Sequence, residues 1–303
     1  MALTRDFERA CELAVEIDQS SGRRRSVPVR AVFARDMNER KSAPMGKLIA
    51  IGGRGGEVLL KLYLALIWRS SAKPFATEVS ARKWAQLLAL PDPSKNGARR
   101  VSDALKTLAE FRLITVEPRR GECPRVTLLR EDGSDQPYSV PRGTNGDFYF
   151  QIPAQMWTSG TMQQLSAPGL AMLIAVLAEQ KYPGGPVWWS TERFPGRYGV
   201  SSATRARGTR ELQEAGLLAV ERKLIPPAPG KTFSVDRVRS TYRVTGAALL
   251  EPAVEQSDPA KGKKKQTQPS PSAHALSQDE LMVRLRELVQ QLDASPSGDA
   301  KSK

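Results

Sequence analysis

The chain has 303 residues, with 46 lysines and arginines against 32 aspartates and glutamates, a net charge of +14, 40% hydrophobic residues and one histidine. That balance builds compact cores in about two domains and excludes a chain disordered throughout, and no segment reaches the ~20 apolar residues of a membrane span. The histidine, His274, stands in a Pro-, Ser- and Gln-rich stretch, which excludes a Ser-His-Asp triad, an H-E-x-x-H zinc site, a C₂H₂ finger and a two-histidine nicking centre.

Residues 1–55 open on an amphipathic helix over Arg5–Ile17, apolar at Phe7, Ala10, Cys11, Ala14 and Val15, that packs on a domain or a second subunit. The stretch MALTRDFERACELAVEI carries acids and no apolar h-region, so the chain is expected to lack a signal peptide and to stay in the cytoplasm, on the nucleoid or a plasmid. Cys11 and Cys123 have no C-x-x-C partner and read as core residues in a reducing compartment. Arg23-Arg24-Arg25 reads as a solvated link that adds phosphate contacts at most. Gly52-Gly-Arg-Gly-Gly56 reads as a hinge, or as backbone amides for a phosphate.

Residues 56–135 form the first predicted domain. Glu57–Trp68 is an apolar helix, and Ser80 caps a helix to Leu90 that Pro91 closes. Apolar residues at 101, 104, 105, 108 and 111 follow helical spacing, and Leu113-Ile114-Thr115-Val116 then turns β-prone. Pro118–Gly121 supplies a turn and Arg125–Leu129 a returning strand.

Residues 136–250 repeat this order at an offset of 104, with Leu217-Leu218 in the place of Leu113-Ile114, Leu212 on Leu108 and Ala215 on Phe111. Pro168–Lys181 is the apolar helix, Val187–Ser190 a strand, Glu192–Tyr198 a short helix, and Ser201 caps Ser202–Ala215. Leu217–Lys223 and Arg239–Thr245 are the hairpin strands. Arg205 and Thr209 fall where Val101 and Leu105 stand, and Gly208 costs the helix up to ~1 kcal/mol relative to Ala. That helix is therefore expected to start late or to be ordered mainly by its ligand. Of Trp188 and Trp189, which alternate across a strand, one is expected in the core and one at the surface.

Beyond these, 251–276 is a disordered basic linker with Lys261, Lys263, Lys264 and Lys265. In 277–294 the capping box Ser277-x-x-Glu280 opens a helix whose Leu281, Leu285, Leu288 and Leu292 make a two-heptad seam, and 295–303 is a disordered tail. The seam suits a replication or regulatory protein partner, a second copy of the chain in a homodimer, or the chain's own domains.

Residues 95–130 and 201–243 each carry nine bases and four acids, so each segment holds +5 of the +14. The order helix, helix, turn, helix, hairpin, with VSDALKTLAEFRLITV running from the third helix into the hairpin, resembles the winged helix-turn-helix domain. The resemblance covers roughly residues 56–130 and 151–246. It implies an α+β, mainly helical chain with two winged helix-turn-helix domains, the linker and the C-terminal amphipathic helix. It also implies double-stranded DNA as partner, because the second helix of such a pair enters the major groove. The expected DNA contacts are Arg99, Arg100, Ser102 and Lys106 on the first reading helix, and Ser202, Thr204, Arg207 and Arg210 on the second. On the hairpins they are Arg119, Arg120, Arg125, Arg222, Lys223, Lys231, Arg237 and Arg239.

Paired winged helices in one chain are similar to plasmid replication initiators, which bind repeated origin sequences. The alternative is a transcriptional regulator or partition-type DNA-binding protein that dimerises through its C-terminal helix. No cofactor, metal site or catalytic residue is read, and the remote alternative is a nucleic-acid enzyme with a carboxylate-only metal site. Gly230-Lys231-Thr232 is not a phosphate loop, because prolines remove the amide donors such a loop needs. Asp92, Asp103, Glu131 and Asp132 read as turn or surface acids rather than metal ligands.

Overall fold

A computed structural model of the protein describes residues 5–23, 25–36, 42–144, 146–190, 192–225 and 237–250. It begins with α1 (Arg5–Ser20), β1 (Ser26–Arg30), α2 (Ala31–Ala34), α3 (Pro44–Ala50), α4 (Gly53–Arg69), β2 (Ala76–Thr77), α5 (Ala81–Leu87), α6 (Asn96–Glu110), β3 (Ile114–Glu117) and β4 (Arg125–Leu128). It continues with β5 (Tyr149–Pro153), α7 (Gln155–Thr158), α8 (Thr161–Gln164), α9 (Ala167–Glu179), α10 (Arg193–Tyr198), α11 (Ser202–Glu214), β6 (Leu218–Ile225), β7 (Arg237–Val244) and a 3-10 turn, Gly246–Ala248. The chain is thus α+β, with its strands in small antiparallel sheets.

Helices α4 and α9 are apolar nearly all round, which only burial on every side stabilises. They pack on each other at the centre of one continuous core. Helix α6 packs on α4 and is itself contacted by α5 and by β3, the edge of a sheet of order β2-β4-β3, with Val116 opposite Val126 and Thr77 opposite Val126 from the other side. On α9 pack α11 and β7 of the β6–β7 hairpin, with Leu218 opposite Val244, and α10 is tied to it by Arg197 and Tyr198 donating to Glu179. The strand expected over Val187–Ser190 is reduced to one bridge, Val187 to Tyr242. That bridge meets the returning strand, as β2 meets β4.

The offset of 104 reaches the backbone. Leu113 N donates to Leu108 O at 3.1 Å and Leu217 N to Leu212 O at 2.8 Å. Arg112 N donates to Ala109 O at 2.9 Å and Gly216 N to Gln213 O at 3.1 Å. Each helix leaves through a left-handed residue, Arg112 at φ 56° and Gly216 at φ 69°. Both halves belong to one compact unit, Met1–Pro252. The expected boundary at 55/56 falls inside α4, and that at 135/136 falls between β4 and β5.

Two glycine expectations are corrected. Helix α11 is complete from Ser202, where the Ser201 hydroxyl accepts from Thr204 N at 3.1 Å, so it does not start late. Gly208 is where α11 touches α9: a Cβ there would lie 2.7 Å from the Pro168 carbonyl carbon and 2.9 Å from Met172 Cβ. The Gly52–Gly56 run is no hinge. Gly52, at φ 76°, turns the chain, and the following glycines form the first turn of α4.

The N-terminal segment is also more integrated than its polar composition implies. Strand β1 pairs with β5, Val27 opposite Ile152 and Val29 opposite Phe150, and this sheet was not anticipated. Helix α1 packs on α5 and α7 through Ala10, Leu13 and Ala14, while Val15, expected on that face, is 42% exposed. Arg23 is buried rather than solvated, donating to the Ile67 carbonyl and to Tyr138 Oη. Cys11 and Cys123 are half-buried free thiols, not core residues. Burial raises the Cys11 thiol above its ordinary pKa.

Glu131, read as a turn or surface acid, is fully buried. Its carboxylate accepts from Arg30 Nη1 at 2.6 Å, and Arg30 Nε donates to Asp147 at 2.6 Å. This pair joins β1 to the chain after β4. Asp132 and Asp92 do act in turns: Asp132 Oδ1 accepts from Ser134 N at 3.0 Å, and Asp92 Oδ2 accepts from Asn96 N at 3.2 Å. Trp188 is the exposed tryptophan, at 51%, and Trp189 packs against the core. The Gly230-Lys231-Thr232 segment, the basic linker, the capping box, the leucine seam and the tail lie outside the described residues.

Candidate nucleic-acid interface

Amphipathic spacing places each candidate helix. On α6, Val101, Ala104, Leu105 and Leu108 are buried, and Arg99, Ser102, Asp103, Lys106 and Glu110 are exposed. On α11, Gly208 and Leu212 are buried, and Ala203, Ala206, Arg207, Arg210 and Glu214 are exposed. These five positions of α6 match those of α11 at the offset of 104, while α11 exposes Ser202 and Gln213 besides, where Ala98 and Ala109 are half-buried. Arg99 thus answers to Ala203, Asp103 to Arg207 and Lys106 to Arg210.

The remaining helical candidates are less open. Arg100 is half-buried, and the Ser102 hydroxyl donates to the Ala98 carbonyl at 3.1 Å. Thr204 is half-buried, its hydroxyl 2.9 Å from Ser201 Oγ at the helix cap, whereas Ser202 is exposed.

The hairpins differ in charge. In the first, Arg119 lies 2.9 Å from Glu78 and 3.0 Å from Glu122, and Arg125 lies 3.8 Å from Glu78. Glu78 and Glu122 thereby offset much of the charge expected there, while Arg120 is exposed. In the second, Arg222 and Arg243 are exposed, Lys223 lies 3.4 Å from Glu221, and Arg239 stacks 3.9 Å over the Trp188 ring. Arg237 opens β7, and Lys231 lies outside the described residues. Exposed ion pairs of this kind are worth about 0–1 kcal/mol, so they redistribute charge more than they stabilise.

Between α11 and the second hairpin runs a groove of about 670 Å³ lined by Ser202, Arg205, Arg210, Trp188, Arg239 and Tyr242, among others. Thr204 and Arg207 are not on it. Arg205, which was not among the expected contacts, lines this groove. Its guanidinium lies 4.5 Å from the Phe194 ring centre and 5.6 Å from that of Trp189, and Nη2 donates to Tyr242 Oη at 2.9 Å. The available signal was the misfit itself, an arginine where the repeat calls for valine.

Among the described residues, no three histidines, cysteines or acids cluster as metal ligands, and no helix is long and apolar enough to cross a membrane. No known protein family, curated protein or solved structure matches the chain.

Proposed function

We propose that the protein binds double-stranded DNA sequence-specifically through two winged helix-turn-helix halves and acts as a plasmid replication initiator on origin repeats. The observation that carries this reading is the repeated unit. Each half sets a capped or turn-started helix on an apolar helix, opens a solvent-facing stripe and runs directly into a hairpin. An α-helix fits the major groove and a hairpin beside it reaches the backbone or minor groove. The stripes carry Arg99 and Lys106 on α6, and Arg207 and Arg210 on α11. Fusion of the two halves about α4 and α9 fixes their spacing, which suits a site read in two successive parts.

The test is titration of duplex DNA by the full chain at a series of salt concentrations. Each phosphate contact contributes about 0.9 to the slope of log affinity against log salt. Replacing Arg99 and Lys106, or Arg207 and Arg210, with alanine is expected to weaken binding and to flatten the slope by between about one and two. Slopes equal to that of the unmodified protein in both variants would overturn the assignment of these helices.

A further inference from the structure

Arg205 occupies a packing position. Its counterpart at the offset of 104, Val101, is fully buried among the core residues of the first half. A guanidinium in such a place loses hydration, which is costly unless a counter-charge or hydrogen bonds replace it. Among the described residues Arg205 has no ion pair; it is held by Tyr242 Oη and by the faces of three rings, the third being Tyr242 at 5.5 Å. The rings are themselves fixed. Trp189 Nε1 donates to Tyr198 Oη at 2.8 Å, and that hydroxyl donates to Glu179 at 3.0 Å. Cation–π contacts of this kind hold a guanidinium in place without neutralising it.

The groove this cation lines has a one-sided electrostatic character. Arg205 and Arg210 come from α11, Arg239 comes from β7 over Trp188, and no carboxylate is among the lining residues. Ser202, Ser240 and Thr209 add hydroxyls along the same walls. Three guanidiniums converging from two elements, with no acid between them, repel one another unless an anion enters. The planar fork of arginine matches phosphate oxygens better than any other side chain.

We propose that this groove is a phosphodiester site: it holds one strand of the bound DNA by its backbone, with Arg205 as the preset cation on the floor and Arg210 and Arg239 on the walls. The inference rests on the DNA-binding reading and deepens it. In the first half the equivalent position holds the buried Val101 and so offers no cation, and the two halves grip DNA differently, the first through its helix stripe and the second through the groove as well.

The experiment uses the full chain and a random-sequence 30-base-pair duplex, with affinity measured by fluorescence anisotropy between low and moderate salt. Arg205→Gln is expected to weaken binding about tenfold at moderate salt and to lower the slope by about one, the value of a single phosphate contact, while Arg205→Lys keeps the slope. A packing role alone would lower the melting temperature of Arg205→Gln and leave the slope unchanged, and that result overturns the proposal. Should Arg205→Gln fail to fold, Arg239→Gln on the opposite wall carries the same expectation, and an unchanged slope there overturns it equally. Absence of duplex binding by the unmodified chain at low salt would instead overturn the DNA-binding reading itself.

Discussion

Gly208→Ala is expected to destabilise the protein by about 2–3 kcal/mol, although alanine is the better helix former by up to ~1 kcal/mol. The reason is the approach of α11 to α9. The new methyl carbon would lie 2.7 Å from the Pro168 carbonyl carbon and 2.9 Å from Met172 Cβ, and a backbone carbonyl cannot rotate away as a side-chain end would. The helices must separate, and Leu212 and Met172, both buried at that contact, lose packing with them. For a chain of this size the melting temperature should fall by about 4–12 °C, read by circular dichroism or calorimetry. A rise in melting temperature would mean that α9 and α11 do not touch at Gly208.

Arg30→Met is expected to cost about 3–5 kcal/mol, because it strands Glu131 as an unpaired charge in the core. Arg30 donates to Glu131 and to Asp147, each at 2.6 Å, and to the Ser139 carbonyl at 2.8 Å, so one side chain ties β1 to two later segments. Burial pushes the Glu131 carboxyl above its ordinary pKa, and Arg30 opposes that shift. Without Arg30 the shift grows, so the folded variant binds a proton that the unfolded chain releases, and its stability rises as pH falls toward the acidic range. Urea unfolding at neutral and mildly acidic pH should show a large deficit that narrows at the lower pH. A loss under about 1 kcal/mol at neutral pH would indicate a solvated pair.

Local patterns were the legible ones. The stripe of Val101, Ala104, Leu105 and Leu108 announces α6, Ser80 and Ser201 announce their helices, and the switch at Leu113-Ile114 announces β3, because each depends on residues within a turn or two. The β1–β5 sheet was not legible: Pro28 interrupts the β signal of SVPVR, and the strand that completes it lies more than a hundred residues away. The Arg30–Glu131 pair is hidden for the same reason, since a charge destined for burial looks like any surface charge until its partner is placed. Gly208 and Arg205 looked like flaws in the second half because the pattern registers only what departs from an apolar stripe. In space, the first is a close helix contact and the second a cation in a ring of aromatics.

The exposure of the candidate residues was legible, and their ion pairs were not. The positions facing solvent on α6 and α11 follow from helical spacing alone, so Arg99, Lys106, Arg207 and Arg210 fall where expected. Arg119 and Arg125 meet Glu78, some forty residues upstream, a pairing no local pattern announces. The stacking of Arg239 on Trp188 beside the groove is hidden for the same reason.

The most direct measurement is a footprint of the purified chain on DNA that flanks its own gene. Protection of a defined sequence is expected, in two windows spaced by about one helical turn or a multiple of it, one for each proposed reading helix. As an initiator, it should protect directly iterated copies of that sequence; a single palindrome at a promoter would transfer the same surfaces to a regulator. Uniform or absent protection, with binding that discriminates no sequence from random duplex, would contradict sequence-specific reading by α6 and α11.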